Sequence, residues 1–130
     1  MIKITTKGTG NQFLTTISNG SLSINSDLPI SEGGTNSGFA PIELIASALG
    51  ASTTMFITEF CKKNDLKVFN IQVDVITEID SLKNKVKFIK NITILGDIPE
   101  NTKQIISDAS KFCFIEQFLS YNVEFELNLK

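Results

Sequence analysis

The 130-residue sequence predicts an α+β fold in which antiparallel sheets pack around one long central helix. Three observations predict this class. Runs of alternating apolar and polar residues, typical of strands with one buried face, stand near both ends and after the middle of the chain. Asn19-Gly20 separates two such runs, and this pair is typical of a hairpin turn. Between the runs lies APIELIASALGASTTMFITEFC, residues 40–61, which is apolar on nearly every side.

The N-terminal part is predicted to form strands at about residues 11–18 and 21–26, with a further strand at about 2–6. Residues 31–38, SEGGTNSG, are all polar or glycine and predict a loop. A plain connector is one interpretation of this loop. The alternative is that its small residues let a ligand approach the backbone.

The central helix is predicted to begin at Pro41, which suits the first helical turn, and to end at the polar residues 62–65, KKND. A helix that is apolar all round has to be covered on every side, whereas a single sheet covers one face. We therefore expect a homodimer with paired central helices. The alternative is that the second helix of the same chain completes the cover.

The second half predicts two strands, a helix and a last strand. VFNIQVDVITEI and KNKVKFIKNITIL alternate and predict an antiparallel pair across a turn at 80–85. A helix is expected after Pro99, with helical character resuming through IEQFL. The predicted inward rows are Phe69, Ile71, Val73 and Val75; Val86, Phe88, Ile92 and Ile94; Ile105, Ile106, Ala109, Phe112 and Cys113; and, in the last strand, Val123, Phe125, Leu127 and Leu129.

Composition excludes several function classes. The net charge is −2, which does not favour a nucleic-acid partner. Histidine is absent, which removes the usual general base, the Ser-His and Cys-His nucleophile pairs and most zinc sites. All 12 basic residues are lysines, so no side chain offers the two-pronged clamp of arginine. No metal and no cofactor are expected.

Targeting signals are not apparent in the sequence. The N-terminus, MIKITTKGTG, lacks the apolar core of a signal peptide, and no stretch reaches the ~20 uninterrupted apolar residues of a membrane span. We therefore expect a cytoplasmic protein with no membrane partner. Its two cysteines, Cys61 and Cys113, are then free or redox-active thiols.

Two stretches together resemble the OsmC/Ohr family. GFAPIELIASALGASTTMFITEFCKKNDLKV is similar to the family's central helix, with its proline, acidic residue, aliphatic residues and then Ala-Ala-Cys or Ala-Gly-Gly-Cys. ENTKQIISDASKFCFIEQFLSYNVEFEL resembles the second landmark, a helix with Ala-x-x-x-Cys that leads into a final strand, filled here by Ala109 and Cys113. The resemblance implies antiparallel sheets wrapped around long central helices in an intertwined homodimer.

In active members, the resemblance implies a thiol peroxidase for organic hydroperoxides, in which one cysteine attacks, a second closes a disulfide, and an arginine and a glutamate activate the first. The attacking position falls on Ser52 and the resolving position on Cys113. The glutamate position falls on Ile42. The neighbouring Glu43 is nine residues from Ser52, about 180° round a helix. The arginine of the active members has no counterpart here, because the chain contains no arginine. The resemblance thus implies the scaffold without its two-cysteine chemistry.

Three functions remain open. The first is a dimer that has lost the two-cysteine peroxidase activity and at most binds a small apolar ligand. The second is a divergent thiol peroxidase that uses Cys113 or Cys61, and the third is a structural dimer. Non-catalytic interpretations stand beside each site residue: Ser52 bonded to a carbonyl one turn earlier, Glu43 stabilising the helix N-terminus, and Cys113 packing in the core. The residues predicted to line an apolar pocket are Met55, Phe56, Phe60 and Phe112.

Overall fold

The computed structural model describes the chain from Met1 to Lys130. It has the predicted α+β architecture, with two antiparallel sheets and helices between and after them. The chain divides into two compact units, Met1–Ile45 and Ala46–Lys130, and the boundary lies inside the first helix.

The N-terminal unit contains a three-stranded antiparallel sheet in the order β1-β2-β3. The strands are β1 Thr5–Gly8, β2 Thr15–Ser18 and β3 Ser23–Ser26, so each is shorter than predicted. The predicted hairpin is confirmed: the Asn19 side chain accepts hydrogen bonds from the N–H groups of Ser21 and Leu22, and Gly20 adopts a left-handed φ of 101°. That conformation favours glycine and explains the Asn-Gly pair.

The loop after β3 is organised around the buried carboxylate of Asp27. Its two oxygens accept hydrogen bonds from the N–H groups of Leu28, Thr35 and Ser37 and from the Thr35 hydroxyl, which is 2.6 Å away. At Gly34 an added Cβ would meet the Leu28 carbonyl oxygen. The small residues of this loop thus let the chain pack on itself, which favours the interpretation of a connector.

The Asp27 carboxylate predicts a specific loss of stability in acid. The Thr35 hydroxyl, followed by the three N–H groups and opposed by burial, lowers the pKa of Asp27 from 3.8 to about 2. The unfolded chain therefore binds this proton first, so the stabilisation is complete above pH 3.8 and is lost as the pH falls towards 2. We expect Asp27→Asn to lower the free energy of unfolding at neutral pH and to flatten its acid dependence.

Denaturant unfolding of wild type and Asp27→Asn across this pH range tests the prediction. Asp97→Asn removes an exposed carboxylate at the end of a strand and is the matched control. Equal acid slopes for wild type and Asp27→Asn would contradict the role assigned to this carboxylate.

Helix α1 spans Pro41–Lys63, close to the predicted bounds. At its start, a Glu43 carboxylate oxygen accepts a hydrogen bond from the Ala40 N–H at 3.0 Å, which is half of a capping box. The buried residues of α1 recur every fourth position, as Leu49, Thr53, Ile57 and Cys61. This spacing makes one buried stripe along the helix rather than burial on every side.

Strands β4 Lys67–Asp80 and β5 Lys85–Asp97 form a long antiparallel hairpin, as predicted. Val73 lies opposite Ile92 in its register. The register shifts between Val68 and Asn70, so Phe69 is 81% exposed, and the prediction that it faces inward is wrong. An extra residue at a bulge moves a side chain to the other face of the sheet, which period-two counting does not anticipate.

The C-terminal unit continues with α2 Glu100–Ala109, a 3₁₀ turn at Ser110–Phe112 and α3 Phe114–Phe118. Pro99 precedes the second helix, as predicted. One cluster of buried residues joins α1, β5, the segment after β5 and α2: Ile57, Cys61, Ile94, Ile98 and Ile106. This cluster is the main hydrophobic core of the unit.

The predicted last strand is wrong for the isolated chain. Residues 122–130 have no strand assignment, and every one of them is exposed. Phe125 and Leu127, from the predicted inward row, are 90% and 95% exposed. A strand needs a neighbouring edge to pair with, and this segment pairs with none in its own chain.

Helix α1 is long and apolar enough to cross a membrane by length and composition alone, with a mean hydropathy of 1.4 over its best window. The core helix of a soluble protein passes the same test. Ile57 and Cys61 of α1 lie in the core cluster, which accounts for part of its apolar character.

Candidate functional site

The candidate site lies within the C-terminal unit, where α1 meets the segment between α2 and α3. Cys113 has an extended backbone, with φ −59° and ψ 147°, and separates the 3₁₀ turn from α3. Its thiol is almost fully buried, and Sγ lies 3.5 Å from the Thr53 hydroxyl oxygen. The Ser52 hydroxyl oxygen accepts a hydrogen bond from the Ile115 N–H, two residues after Cys113, at 3.3 Å. The fold therefore brings Ser52 and Cys113 together.

A lysine from β5 completes this cluster. Lys90 Nζ lies 2.9 Å from a Glu116 carboxylate oxygen, 3.2 Å from the Ser110 carbonyl oxygen and 3.3 Å from the Thr53 hydroxyl oxygen. All three hydrogens of the ammonium group therefore have an acceptor. The Lys90 side chain is only 11% exposed, so its charge acts with little screening by solvent.

The surroundings of Cys113 favour its thiolate. Burial, the largest single influence, opposes ionisation. Hydrogen bonds from the Thr53 hydroxyl, the Glu116 N–H and the Ser52 hydroxyl, together with the charge of Lys90, outweigh it and hold the pKa of Cys113 below its ordinary value. The thiolate is the nucleophilic form of cysteine, so these contacts favour reactivity.

Cys61 lies in a different environment. It is 3% exposed within the core cluster, and burial raises the pKa of its thiol. Both cysteines are free. Of the two thiols singled out in the sequence, Cys113 thus has the surroundings of a reactive group and Cys61 those of a packing residue. No group of three or more Cys, Asp or Glu side chains is arranged to hold a metal ion.

The other predicted site residues take separate places. The Ser52 hydroxyl contacts the segment 113–115, whereas the bond to a carbonyl one turn earlier is made by its neighbour Thr53, with Leu49 O at 2.9 Å. The carboxylate of Glu43 caps the start of α1. Among the residues predicted to line an apolar pocket, Phe56 and Phe60 pack against the core cluster, while Met55 and Phe112 are 70% and 56% exposed. That pocket stays a prediction.

Sequence reasoning missed Thr53, Lys90 and Glu116. For two of them a signal was present. Lys90 occupies the gap between Phe88 and Ile92 in the apolar row of β5, where a charged side chain needs a partner. Thr53 lies in the four-residue repeat that α1 buries. Glu116 carries no such signal, because the short helix α3 has no clear apolar period.

Comparison with known families agrees with this architecture. The sequence profile described as OsmC-like protein matches residues 34–128, most of the chain. The chain belongs to the OsmC-like family. No curated protein matches the sequence.

Solved structures share the fold of this OsmC-like chain. An osmotic stress induced and detoxification response protein from Psychrobacter arcticus superposes with a TM-score of 0.78 at 16% identity, over 91% of this chain and 88% of the other. An OsmC-like protein from Mycoplasma pneumoniae superposes with a TM-score of 0.77 at 16% identity, over 92% of this chain and 86% of the other. The organic hydroperoxide resistance protein OhrB of Bacillus subtilis superposes with a TM-score of 0.62 at 22% identity, over 100% of this chain and 98% of the other.

Proposed function

We propose that this OsmC-like protein reduces organic hydroperoxides with a single cysteine, Cys113, and does not run a two-cysteine cycle. One observation carries the proposal: the Cys113 thiol lies against the Thr53 hydroxyl, and that hydroxyl lies 3.3 Å from the partly buried ammonium group of Lys90. A nearby cation and hydrogen-bond donors are what a cysteine needs to react as a thiolate. The family membership supports the choice of hydroperoxide as substrate.

Ser52 supports the loss of the two-cysteine cycle. The family resemblance aligns this residue with the attacking cysteine, and its hydroxyl accepts a hydrogen bond from the Ile115 N–H, two residues after Cys113. A serine oxygen does not form a disulfide, so Cys113 has no sulfur partner at this position. The other cysteine, Cys61, is held within the core cluster.

The proposed reaction needs an external thiol. The Cys113 thiolate attacks one oxygen of the hydroperoxide, an S–O bond forms, the O–O bond breaks, and the leaving alkoxide takes a proton to become an alcohol. Cysteine is oxidised to a sulfenic acid and the hydroperoxide is reduced. One small thiol then displaces water to give a mixed disulfide, and a second thiol releases Cys113 and a small-molecule disulfide.

Consumption of cumene hydroperoxide in the presence of a small thiol tests this function. We expect turnover by wild type, its loss in Cys113→Ala, and its retention in Cys61→Ala. Turnover that survives in Cys113→Ala would exclude Cys113 as the nucleophile. No turnover in wild type would leave a non-catalytic dimer as the function.

Restoring the missing sulfur tests the pairing of positions. In Ser52→Cys, peroxide is expected to produce a disulfide between residue 52 and Cys113, detectable by mass spectrometry of peptides from the non-reduced protein. A Thr54→Cys variant is the matched control, since the Thr54 hydroxyl donates to Gly50 O of its own helix and makes no hydrogen bond with Cys113. If no 52–113 disulfide forms, the two positions are not a matched pair.

We further propose that the protein is a homodimer. In α1, Ala48, Ala51 and Met55 are exposed and lie roughly 140–180° round the helix from the centre of the buried stripe, which includes Leu49 and Ile57. Small apolar residues allow a second helix to approach closely. The exposed apolar row of residues 123–129 adds a second surface for a partner copy. We also propose a cytoplasmic location, which the two free cysteines support.

A further inference from the structure

The hydroxyl of Thr53 is shared by more partners than it has hydrogens. Its oxygen lies 2.9 Å from Leu49 O, which can only accept, 3.3 Å from Lys90 Nζ, which can only donate, and 3.5 Å from Cys113 Sγ, which can do either. With one hydrogen and two lone pairs, Thr53 can satisfy all three in only one way. It donates to Leu49 O and accepts from both Lys90 and the neutral thiol.

Loss of the thiol proton changes this arrangement. The ionised sulfur can only accept, so the Thr53 hydroxyl must turn from Leu49 O towards it. The cost of the turn is small, because Leu49 O keeps the hydrogen bond of the regular helix. Lys90 continues to donate to the same oxygen, and a hydroxyl that accepts from a cation is a stronger donor.

We propose that Thr53 is a positioning residue for Cys113: its hydroxyl turns between the Leu49 carbonyl and the sulfur, and donates to the thiolate while accepting from Lys90. Glu116 holds Lys90 in place through a contact of 2.9 Å. The charged groups at this site are Lys90 from β5 and Glu116 from α3, whereas α1 contributes the hydroxyls of Ser52 and Thr53. This role rests on the proposed thiol chemistry, but it concerns the ionisation of Cys113 and is measured separately.

The chain offers matched variants for each part of this arrangement. Thr53→Val keeps the shape of the side chain and removes the hydroxyl, and Thr53→Ser restores it. Thr54→Val is the control, because Thr54 also donates to a helix carbonyl, Gly50 O at 2.9 Å, without a hydrogen bond to Cys113. Lys90→Met removes the cation. Its control is Lys111→Met, since the Lys111 ammonium lies over the Phe112 ring instead.

The experiment follows the ultraviolet absorbance of the thiolate against pH in a Cys61→Ala background, so that Cys113 alone titrates among the thiols. A hydrogen bond to a charged group changes the thiolate population roughly tenfold. We therefore expect Thr53→Val and Lys90→Met to shift the titration to higher pH and to lower the thiolate fraction below the transition about tenfold, while Thr53→Ser, Thr54→Val and Lys111→Met titrate like the background protein.

If the Cys113 thiol of Thr53→Val titrates with the same midpoint pH as in the background protein, the proposal is overturned. Circular dichroism checks that Thr53→Val is folded, and if it is not, Lys90→Met carries the test, with an unchanged titration again overturning the proposal. The shift separates this role from the proposed function. A shift without hydroperoxide turnover supports the role of Thr53 and contradicts the enzyme, whereas turnover with no shift does the reverse.

Discussion

A chain that ends at residue 121 is expected to sediment as a monomer at micromolar concentration, whereas the full chain, proposed above to be a homodimer, is expected to sediment as a dimer. The segment 122–130 is exposed along its whole length and belongs to no sheet. Its apolar side chains alternate with polar ones, which is the pattern of a strand with one buried face. Burying a large apolar side chain contributes about 1.5–3 kcal/mol, so burial of the four residues of this row against a partner copy is expected to supply a large part of the association energy. The row consists of Val123, Phe125, Leu127 and Leu129.

A point variant separates the apolar row from the mere presence of the segment. Phe125→Asp places a charge in the row and should weaken the dimer strongly. Glu124→Gln changes the opposite side of the same segment and should leave it intact. Sedimentation velocity over a dilution series measures both. A truncated chain that remains dimeric would show that the segment is not part of the interface, and a monomeric full chain would remove the dimer altogether.

Replacing Ile57 by alanine is expected to lower the free energy of unfolding by about 2–5 kcal/mol. Ile57 is 0% exposed and lies at the centre of the core cluster with Cys61, Ile94 and Ile106. Loss of its side chain leaves a cavity between α1, β5 and α2, which those backbones cannot close without moving. Small domains are stable by only about 5–15 kcal/mol, so this single change removes a large fraction of the total.

Leu82→Ala provides the comparison, because Leu82 is 99% exposed in the turn between β4 and β5. Equilibrium denaturation of wild type and both variants gives the two differences in unfolding free energy. A cost for Ile57→Ala no greater than that for Leu82→Ala would contradict the assignment of the core. Because the protein is proposed to be a dimer, the three proteins are compared at one concentration.

Much of the fold could be predicted from the sequence because local chemistry specifies it. Asn19-Gly20 carries its own turn geometry, Pro41 marks the first turn of α1, and the alternation in residues 68–79 has the period of a strand. The incorrect predictions concern features that depend on contacts distant in the sequence. The bulge that exposes Phe69 depends on its register with the neighbouring strand, and the missing last strand depends on an edge that the single chain does not provide.

The candidate site was predictable only in part. The family pattern pointed to Ser52 and Cys113, and in the structure the Ser52 hydroxyl bonds the Ile115 N–H, two residues after Cys113. The pattern gave no indication of Lys90 or Glu116, which lie on other elements and meet only when the hairpin and α3 pack against α1. A lysine within an apolar row of a strand indicates that its charge has a partner in the fold, but the sequence does not show which residue that partner is.

The β4–β5 hairpin stands alone as a two-stranded sheet, so the outer edge of each long strand is unpaired in the single chain. Such edges are templates on which other chains can aggregate. Lys85 and Lys87 place charges along β5, which discourages indiscriminate pairing. Aggregation through these edges competes with folding, so synthesis that outpaces folding should lower the yield of soluble protein.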